Sequence, residues 1–169
     1  MSSSLRPLGE ATTLRTQLCG SLRASHIGST VTVCGWIARR REHGEHLAFL
    51  DVRDYSGVVQ CVVDNATDVR SEWVVQITGR VQARPEGTVN KNLVTGEVEL
   101  ADCKVVVLNS AEAPPFPIDA RADDVDENVR LKYRYLDIRR ERMQRNLRIR
   151  AKVNSAIRRA MESQNFVEV

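Results

Sequence analysis

Two side chains on neighbouring segments, Phe49 and Gln60, have the chemistry needed to bind an unpaired nucleotide. An aromatic ring offers a surface on which a base can stack, and an amide can hydrogen-bond to a base edge. A run of guanidinium groups that could contact phosphates lies just upstream, formed by Arg39, Arg40 and Arg41. The pattern predicts a surface for single-stranded nucleic acid, with the three arginines in a basic loop.

A predicted hairpin brings the ring and the amide together. Asp54-Tyr55-Ser56-Gly57 has Asp first and Gly last, which is typical of a four-residue turn. Closing this turn pairs Phe49 with Val62 and Asp51 with Gln60, and period-two alternation then defines two faces. The mixed, outward face comprises Phe49, Asp51, Arg53, Val58, Gln60 and Val62. The apolar face, predicted to line a barrel interior, comprises Ala48, Leu50, Val52, Val59, Cys61 and Val63. A ring covered by a neighbouring loop is the alternative interpretation of Phe49.

A long segment from Arg84 to Gly96 is rich in Gly, Asn and Thr, which suits a binding loop better than a structural turn. Its candidate contacts with nucleic acid are Arg84, Gly87 and Asn90. Glu97 and Glu99 share one face of the strand predicted to follow, where they could accept hydrogen bonds from base amino groups. A solvated strand edge is the alternative for these two carboxylates.

Five short runs rich in Val, Ile and aromatic residues predict strands. They are Val31 to Ala38, Leu47 to Arg53, Val58 to Val63, Trp73 to Gln82 and Glu97 to Leu108. A short helix is expected in the insert from Ala66 to Glu72, between the third and fourth strands. This order predicts an all-β, five-stranded Greek-key barrel of the OB type. An SH3-like barrel or a sandwich fragment is the alternative.

The pattern changes at Ala113-Pro114-Pro115-Phe116-Pro117, where three prolines exclude a helix or a central strand and indicate a hinge. We therefore predict a tail at 1–13, an OB domain at 14–110, a linker at 111–128 and the start of a second domain at 129–169. Apolar residues recur every fourth position from about Glu141 to Ser163, which predicts one long amphipathic helix. Those residues are Ile149, Val153, Ile157 and Met161.

The net charge of +3 over 169 residues hides a segregated pattern. Residues 130–152 carry ten basic and two acidic side chains, which fits either a polyanion partner or a solvated helix face. The four cysteines lie far apart without zinc spacing, so reduced thiols and no metal site are expected; they are Cys19, Cys34, Cys61 and Cys103. No apolar segment has the length of a membrane span, and the sequence predicts a cytoplasmic protein.

Several strings together resemble the start of bacterial-type aspartyl-tRNA synthetases, from about Thr16 to the end of the chain. The strings are CGSLRASHIGSTVTVCGWIARRREHG, FLDVRDYSGVVQCVV, ITGRVQARPEG, TGEVEL, and PPFPI with VRLKYRYLDIRRERMQRNLRIRAKV. The combination is specific, because the sister asparaginyl and lysyl enzymes share the barrel without having both RRREHG and YRYLDIRR.

The resemblance implies an anticodon-binding OB barrel whose partner is the anticodon loop of tRNA(Asp). It implies that Phe49 stacks on an anticodon base and that Gln60 reads the central uracil. It also implies that Arg41 with its neighbours, together with Arg84, contacts phosphates or bases, and that Glu99 recognises the first or third base. His43 and Gly87 match positions associated in the family with tolerance of tRNA(Asn).

The last helix resembles the motif 1 helix of class II enzymes, which implies a homodimer interface in the parent protein. The parent aspartate–tRNA ligase would use ATP and Mg²⁺ to form aspartyl-adenylate and then esterify the tRNA 3′ end. Because motifs 2 and 3 are missing, we expect no catalytic residues and no cofactor in this stretch, and no catalysis by the chain alone.

Two further departures from the family are a short insert after the third strand and Thr16-Gln17 in place of a threonine-histidine pair. A freestanding OB module that binds single strands and a pure dimerisation fragment remain as alternative functions.

Overall fold

The computed structural model describes residues 14–44, 46–64 and 68–169, and the predicted tail at 1–13 lies outside them. The chain divides into two compact units, Met1–Ala113 and Pro114–Val169. The division falls where three prolines within four residues fix φ and remove backbone donors.

Five strands form the first unit, as predicted. They are β1 (Thr30–His43), β2 (Leu47–Asp54), β3 (Gly57–Asp64), β4 (Val74–Ala83) and β5 (Val98–Asn109). The strands close into a barrel in the order β1-β2-β3-β5-β4. Strands β3 and β5 are parallel where Cys61 meets Leu100, and the other neighbouring pairs are antiparallel. Closure pairs each strand on both sides over part of its length, which protects the sheet edges.

The β2–β3 hairpin has the predicted register, with Phe49 opposite Val62 and Asp51 opposite Gln60. Its inward face is fully or almost fully buried, as the alternation predicts. Leu22, before β1, and Val69, between β3 and β4, complete the same core. Full burial of each such aliphatic side chain contributes about 1.5–3 kcal/mol, so the barrel interior supplies a rigid support for the outward face.

Strand β1 extends further than predicted, and the expected basic loop is wrong. Arg39, Arg40 and Arg41 lie within β1, and only residues 44–46 separate β1 from β2. The register shifts between Ile37 and Arg39, which marks a β-bulge. A bulge inserts an extra residue and interrupts the alternation, so the strand continues although its sequence pattern stops.

No helix is present in residues 68–73 of the insert between β3 and β4; residues 65–67 lie outside the described part of the chain. Hydrogen bonds tie the end of the insert to β1, from the Glu72 N–H to the Ile37 oxygen (2.8 Å) and from the Ile37 N–H to the Trp73 oxygen (3.0 Å). Glu72 has φ of +65° and pairs with Arg53 of β2.

The second unit is helical. It contains a 3-10 helix (Ala120–Asp124), α1 (Glu127–Lys132), α2 (Arg134–Asp137) and the long α3 (Glu141–Glu162). The long helix occupies the predicted residues, whereas α1 and α2 were not predicted. Side chains of Asp119 and Asp126 cap the 3-10 helix and α1 by accepting from backbone N–H groups.

A buried ion-pair cluster lies at the start of α3. The Asp137 carboxylate is fully buried and accepts from Arg140 Nε (2.8 Å) and Nη2 (2.7 Å). Arg140 also pairs with Asp123, and Arg134 pairs with Asp137. Because a buried charge is tolerated only when it is paired, the cluster fixes α2 and the 3-10 helix at the start of α3.

Among the residues that the structure describes, no helix has the length and apolar character that a membrane span requires.

Candidate nucleic-acid interface

A cavity of about 620 Å³ lies on the outward face of the barrel. One side is the outward face of strands β1–β3, represented by Arg41, Phe49 and Gln60. The other side is the β4–β5 loop from Arg84 to Asn92, together with Glu99 at the start of β5. We call this cavity the cleft; it contains most of the residues predicted to bind nucleic acid.

Phe49 faces outward from β2, as predicted, but its side chain is half-buried rather than exposed. The His43 ring meets it edge-on, with 5.8 Å between ring centroids and an interplanar angle of 65°. The guanidinium carbon of Arg41 lies 5.9 Å from the Phe49 centroid. The ring can stack on a base, and the adjacent guanidinium group can neutralise phosphate charge at the same place.

A continuous hydrogen-bond chain crosses the floor of the cleft. Arg41 Nη2 donates to Asp51 Oδ1 (2.7 Å) and to Gln60 Oε1 (3.0 Å). Gln60 Nε2 donates to Glu99 Oε2 (2.8 Å), and Gln82 Nε2 donates to Glu99 Oε1 (2.9 Å). All five strands contribute to this chain, so the groups that could read a base are held rigidly before any ligand arrives.

Burial raises the pKa of the Asp51 carboxyl above its ordinary value, while the guanidinium groups of Arg41, Arg84 and Arg39 act in the opposite direction. The Asp51 side chain is 16% exposed, so this part of the floor of the cleft is largely shielded from water. Hydrogen bonds made there are stronger than at an open surface.

Two arginine nitrogens at the cleft are buried, and no acceptor lies within hydrogen-bond distance of either among the described residues. They are Arg41 Nε and Arg84 Nη2. Arg84 is 9% exposed, and its Nε donates to the Val98 oxygen (3.3 Å). A buried, unpaired donor costs about 1–3 kcal/mol.

The β4–β5 loop has a compact core of its own. The Asn90 N–H donates to the Gly96 oxygen (3.1 Å), and the Gly96 N–H donates to the Leu93 oxygen (2.9 Å). A Cβ at Gly96 would lie 1.8 Å from the Asn90 oxygen, so only glycine fits there. Thr95 Oγ1 anchors the loop to β3 by donating to the Val58 oxygen (2.5 Å).

Seven of the eleven predicted nucleic-acid-binding residues line the cleft together: Arg41, Phe49, Gln60, Arg84, Gly87, Asn90 and Glu99. His43 touches the Phe49 ring without lining the cleft, and Arg39 is exposed on β1 opposite Asp51. The structure therefore groups the predicted site around the hairpin face and the loop.

Arg40 and Glu97 do not join this group. Arg40 pairs with Leu50, whose side chain is in the core, so it lies on the face of β1 opposite to Phe49 and forms an ion pair with Glu42 (3.0 Å). Glu97 precedes β5, is exposed, and was wrongly predicted to share a strand face with Glu99. Glu99 itself is 4% exposed and already accepts two hydrogen bonds, so it is not a solvated edge.

Asp51, Gln82 and Lys91 belong to the site but were not among the predicted binding residues. The hairpin register had placed Asp51 beside Phe49 on the outward face, which was a usable signal. Gln82 offered no comparable signal, because its partner Glu99 is set by the β4–β5 register. Lys91 also offered no signal, because a single lysine in a loop does not by itself indicate a binding site.

In the second unit, Ile149, Val153, Ile157 and Met161 lie at four-residue spacing on α3, and their side chains are exposed. Four-residue spacing places them along one side of the helix. Nothing within the described part of the chain covers this side.

The described residues hold no group of three or more His, Cys, Asp or Glu side chains that could bind a metal ion. The cleft combines a stacking ring, an oriented amide, a buried carboxylate and unpaired guanidinium N–H groups. This arrangement is suited to recognising unpaired bases and their phosphates.

Residues 31–107 match the family described as OB-fold nucleic acid binding domain, and residues 126–169 match tRNA synthetases class II (D, K and N). Curated relatives include the aspartate–tRNA(Asp/Asn) ligase of Beutenbergia cavernae, 49% identical over 92% of this chain and 27% of the relative. The ligase of the same name from Micrococcus luteus is 50% identical over 92% of this chain and 26% of its own length. The chain spans about a quarter of the length of these relatives.

Solved structures share the fold. An asparaginyl-tRNA synthetase from Pyrococcus horikoshii complexed with asparaginyl-adenylate has a TM-score of 0.72 at 22% identity, covering 90% of this chain and 35% of that one. An aspartyl-tRNA synthetase from Entamoeba histolytica has a TM-score of 0.73 at 22% identity, covering 86% and 37% respectively.

Proposed function

We propose that the cleft binds the anticodon loop of a tRNA. The premise is that residues 31–107 match the OB-fold nucleic acid binding domains and residues 126–169 match the class II tRNA synthetases of the D, K and N group.

The observation that carries the proposal is the composition of the cleft. Phe49, Gln60 and Glu99 meet there beside Arg84, which has a buried N–H group without an acceptor among the described residues. Leaving such a donor desolvated costs about 1–3 kcal/mol. Because Arg40 Nε, outside the cleft, is buried and unpaired as well, the stronger support is the meeting of ring, amide and carboxylate. An RNA loop would supply both the acceptor and a base for the ring.

Each cleft residue then has a separate role. Phe49 stacks on an anticodon base, and Gln60 reads the central uracil with its amide. Glu99 accepts a hydrogen bond from the amino or imino group of a neighbouring base, as carboxylates do with guanine and cytosine. Arg84 and Arg41 bind phosphate or base oxygens, for which guanidinium geometry is well suited.

We propose tRNA(Asp) as the cognate partner, with tRNA(Asn) tolerated as well. The names of the two curated relatives include both tRNAs, which supports this assignment. His43 against the Phe49 ring and Gly87 in the cleft are the residues to which we assign the tolerance.

The wider assignments concern the parent protein. We propose a cytoplasmic aspartate–tRNA ligase that uses ATP and Mg²⁺, with residues 31–107 supplying recognition. The exposed apolar side of α3, formed by Ile149, Val153, Ile157 and Met161, is proposed as a homodimer interface.

Filter binding of the 169-residue chain to anticodon stem-loops tests the proposal. We expect a preference for a hairpin with a G-U-C anticodon over hairpins of equal length with scrambled anticodons. Equal binding to all hairpins would indicate a freestanding OB module for single strands. Absence of binding would favour the alternative that the chain is a dimerisation fragment. Either result would contradict the proposal.

A further inference from the structure

We propose that Gln82 is a positioning residue that fixes Glu99, and through it Gln60, in the orientation that reads the anticodon. This inference rests on the proposed function, since it concerns how the same cleft becomes selective. Gln82 does not itself line the cleft.

The β4–β5 register places Gln82 directly opposite Glu99. Side chains directly opposite each other in an antiparallel pair point to the same face. Gln82 Nε2 donates to Glu99 Oε1 (2.9 Å), which is the oxygen that Gln60 leaves free.

Glu99 needs both donors because its side chain is almost fully buried, at 4% exposure. A desolvated carboxylate is costly unless its oxygens accept hydrogen bonds. Gln60 and Gln82 each supply one N–H group, so each oxygen is held from a different strand. Without Gln82, the carboxylate can turn to share the single Gln60 amide or to seek water.

The orientation of the Gln60 amide depends on this arrangement. Its oxygen accepts from Arg41, whose guanidinium is held by Asp51, and its nitrogen donates to Glu99. A flipped amide would direct its NH₂ group at the Arg41 guanidinium, where two donors would face each other. Glu99 can accept a hydrogen bond from Gln60 in only one of the two amide orientations. The hydrogen bond from Gln82 holds the Glu99 carboxylate in the position where it accepts from Gln60.

The consequence is a division between affinity and selectivity. The Phe49 ring and the free arginine N–H groups bind any unpaired loop, whereas the oriented amide and carboxylate discriminate between bases. Loss of Gln82 should therefore reduce discrimination while stacking and phosphate contacts persist.

The test compares the full 169-residue chain with Gln82→Met, which keeps the side-chain length and removes the donor. The probes are RNA hairpins with the anticodons G-U-C, A-U-C and G-C-C, measured by fluorescence anisotropy over a range of salt concentrations. We expect discrimination against the two altered hairpins to fall about tenfold, as for the loss of one hydrogen bond to a charged group, with an unchanged salt slope.

Gln76→Met is the matched control. Gln76 lies on the same strand and also donates a hydrogen bond, to the Leu14 oxygen (2.7 Å), but it does not line the cleft. Its variant should retain wild-type discrimination. Thermal unfolding of both variants separates a local effect from a loss of folded protein.

Gln82→Glu is the second variant, which replaces the donor by an acceptor and places two carboxylates together. It should lose at least as much discrimination, so the inference is testable even if the Met variant folds poorly. The positioning role would be overturned if folded Gln82→Met and Gln82→Glu discriminated between the hairpins as well as wild type does. It would also be overturned if Gln76→Met lost as much discrimination as Gln82→Met. Absence of discrimination in the wild-type chain would instead overturn the proposed function, and the inference with it.

Discussion

Arg41 on β1 and Gln60 on β3 are joined over the intervening strand β2 by a hydrogen bond of 3.0 Å from Arg41 Nη2 to Gln60 Oε1. The same nitrogen also donates to Asp51, so one guanidinium group orients an amide and balances a buried carboxylate. The bond connects the cationic side of the cleft to the group that reads a base. Cation and reader thus act as one unit rather than as independent contacts.

Phe49→Ala should weaken binding of a G-U-C anticodon stem-loop by about 1–3 kcal/mol, because the stacking surface is lost. Isothermal titration of the wild-type and variant chains measures the change. Tyr55→Ala is the matched control, since Tyr55 is an exposed aromatic at the β2–β3 turn and does not line the cleft. An affinity unchanged by Phe49→Ala, or reduced equally by both variants, would contradict the stacking role.

Arg84→Ala should lower both the affinity and the salt dependence of RNA binding, because a phosphate contact releases a counterion. The slope of log K against log salt concentration should become shallower by about one unit or slightly less. Arg80→Ala serves as control, because Arg80 is an exposed arginine of β4 paired with Asp102. If the slope is the same in wild type and Arg84→Ala, Arg84 does not bind a phosphate.

Much of the first unit could be predicted because local rules and packing agree there. The Asp54–Gly57 turn fixed the β2–β3 register, and alternation then separated the core from the binding face. The basic triplet was misassigned because three arginines resemble a loop, whereas the bulge after Ile37 allows β1 to continue through them. Gln82 was missed because its partner depends on a second irregularity, between Thr78 and Arg80. Such bulges are set by tertiary closure of the barrel and leave little local signal.

Gly96→Ala should disrupt the β4–β5 loop, because a Cβ there would lie 1.8 Å from the Asn90 backbone oxygen. We expect lower stability and weaker RNA binding, since the loop carries the Asn90 side of the cleft. Gly87→Ala provides a contrast, because nothing lies within 4 Å of its Cβ position and only its φ of +81° opposes the change. Its cost should be about 1–2 kcal/mol, which is the strain of an L residue in the left-handed region. Denaturant unfolding and anisotropy measure both effects, and equal losses would contradict the steric argument.

Arg53→Met should destabilise the barrel by about 3 kcal/mol, because Glu72 would be left as a buried carboxylate without its guanidinium partner. Arg53 Nη2 donates to both Glu72 oxygens at 2.9 Å, and the Glu72 side chain is 9% exposed. Arg70→Met breaks an exposed pair with Asp68 and should change the free energy of unfolding by about 0–1 kcal/mol. Urea unfolding distinguishes the two, and similar small losses would show that the Glu72 pair is not buried in solution.

Asp51→Asn should change how stability depends on pH. Burial raises the pKa of Asp51 in the folded chain above its ordinary value of 3.8, so the folded state holds this proton more strongly than the unfolded state. The stability contributed by the protonated group is complete below pH 3.8 and is lost as the pH rises through the higher, folded-state pKa. The free energy of unfolding of Asp51→Asn, relative to wild type, should therefore increase on going from pH 3.5 to neutral pH. Urea titrations at both pH values measure this difference, and a constant or falling difference would contradict the assignment.

The most direct test of the cleft as an anticodon site is an NMR titration of the 169-residue chain with a G-U-C stem-loop RNA. The Phe49 ring protons and the Gln60 side-chain amide should show the largest saturable shifts, and a hairpin with a scrambled anticodon should produce much smaller ones. Shifts confined to the basic residues of α3, or equal for the two hairpins, would contradict recognition by the cleft.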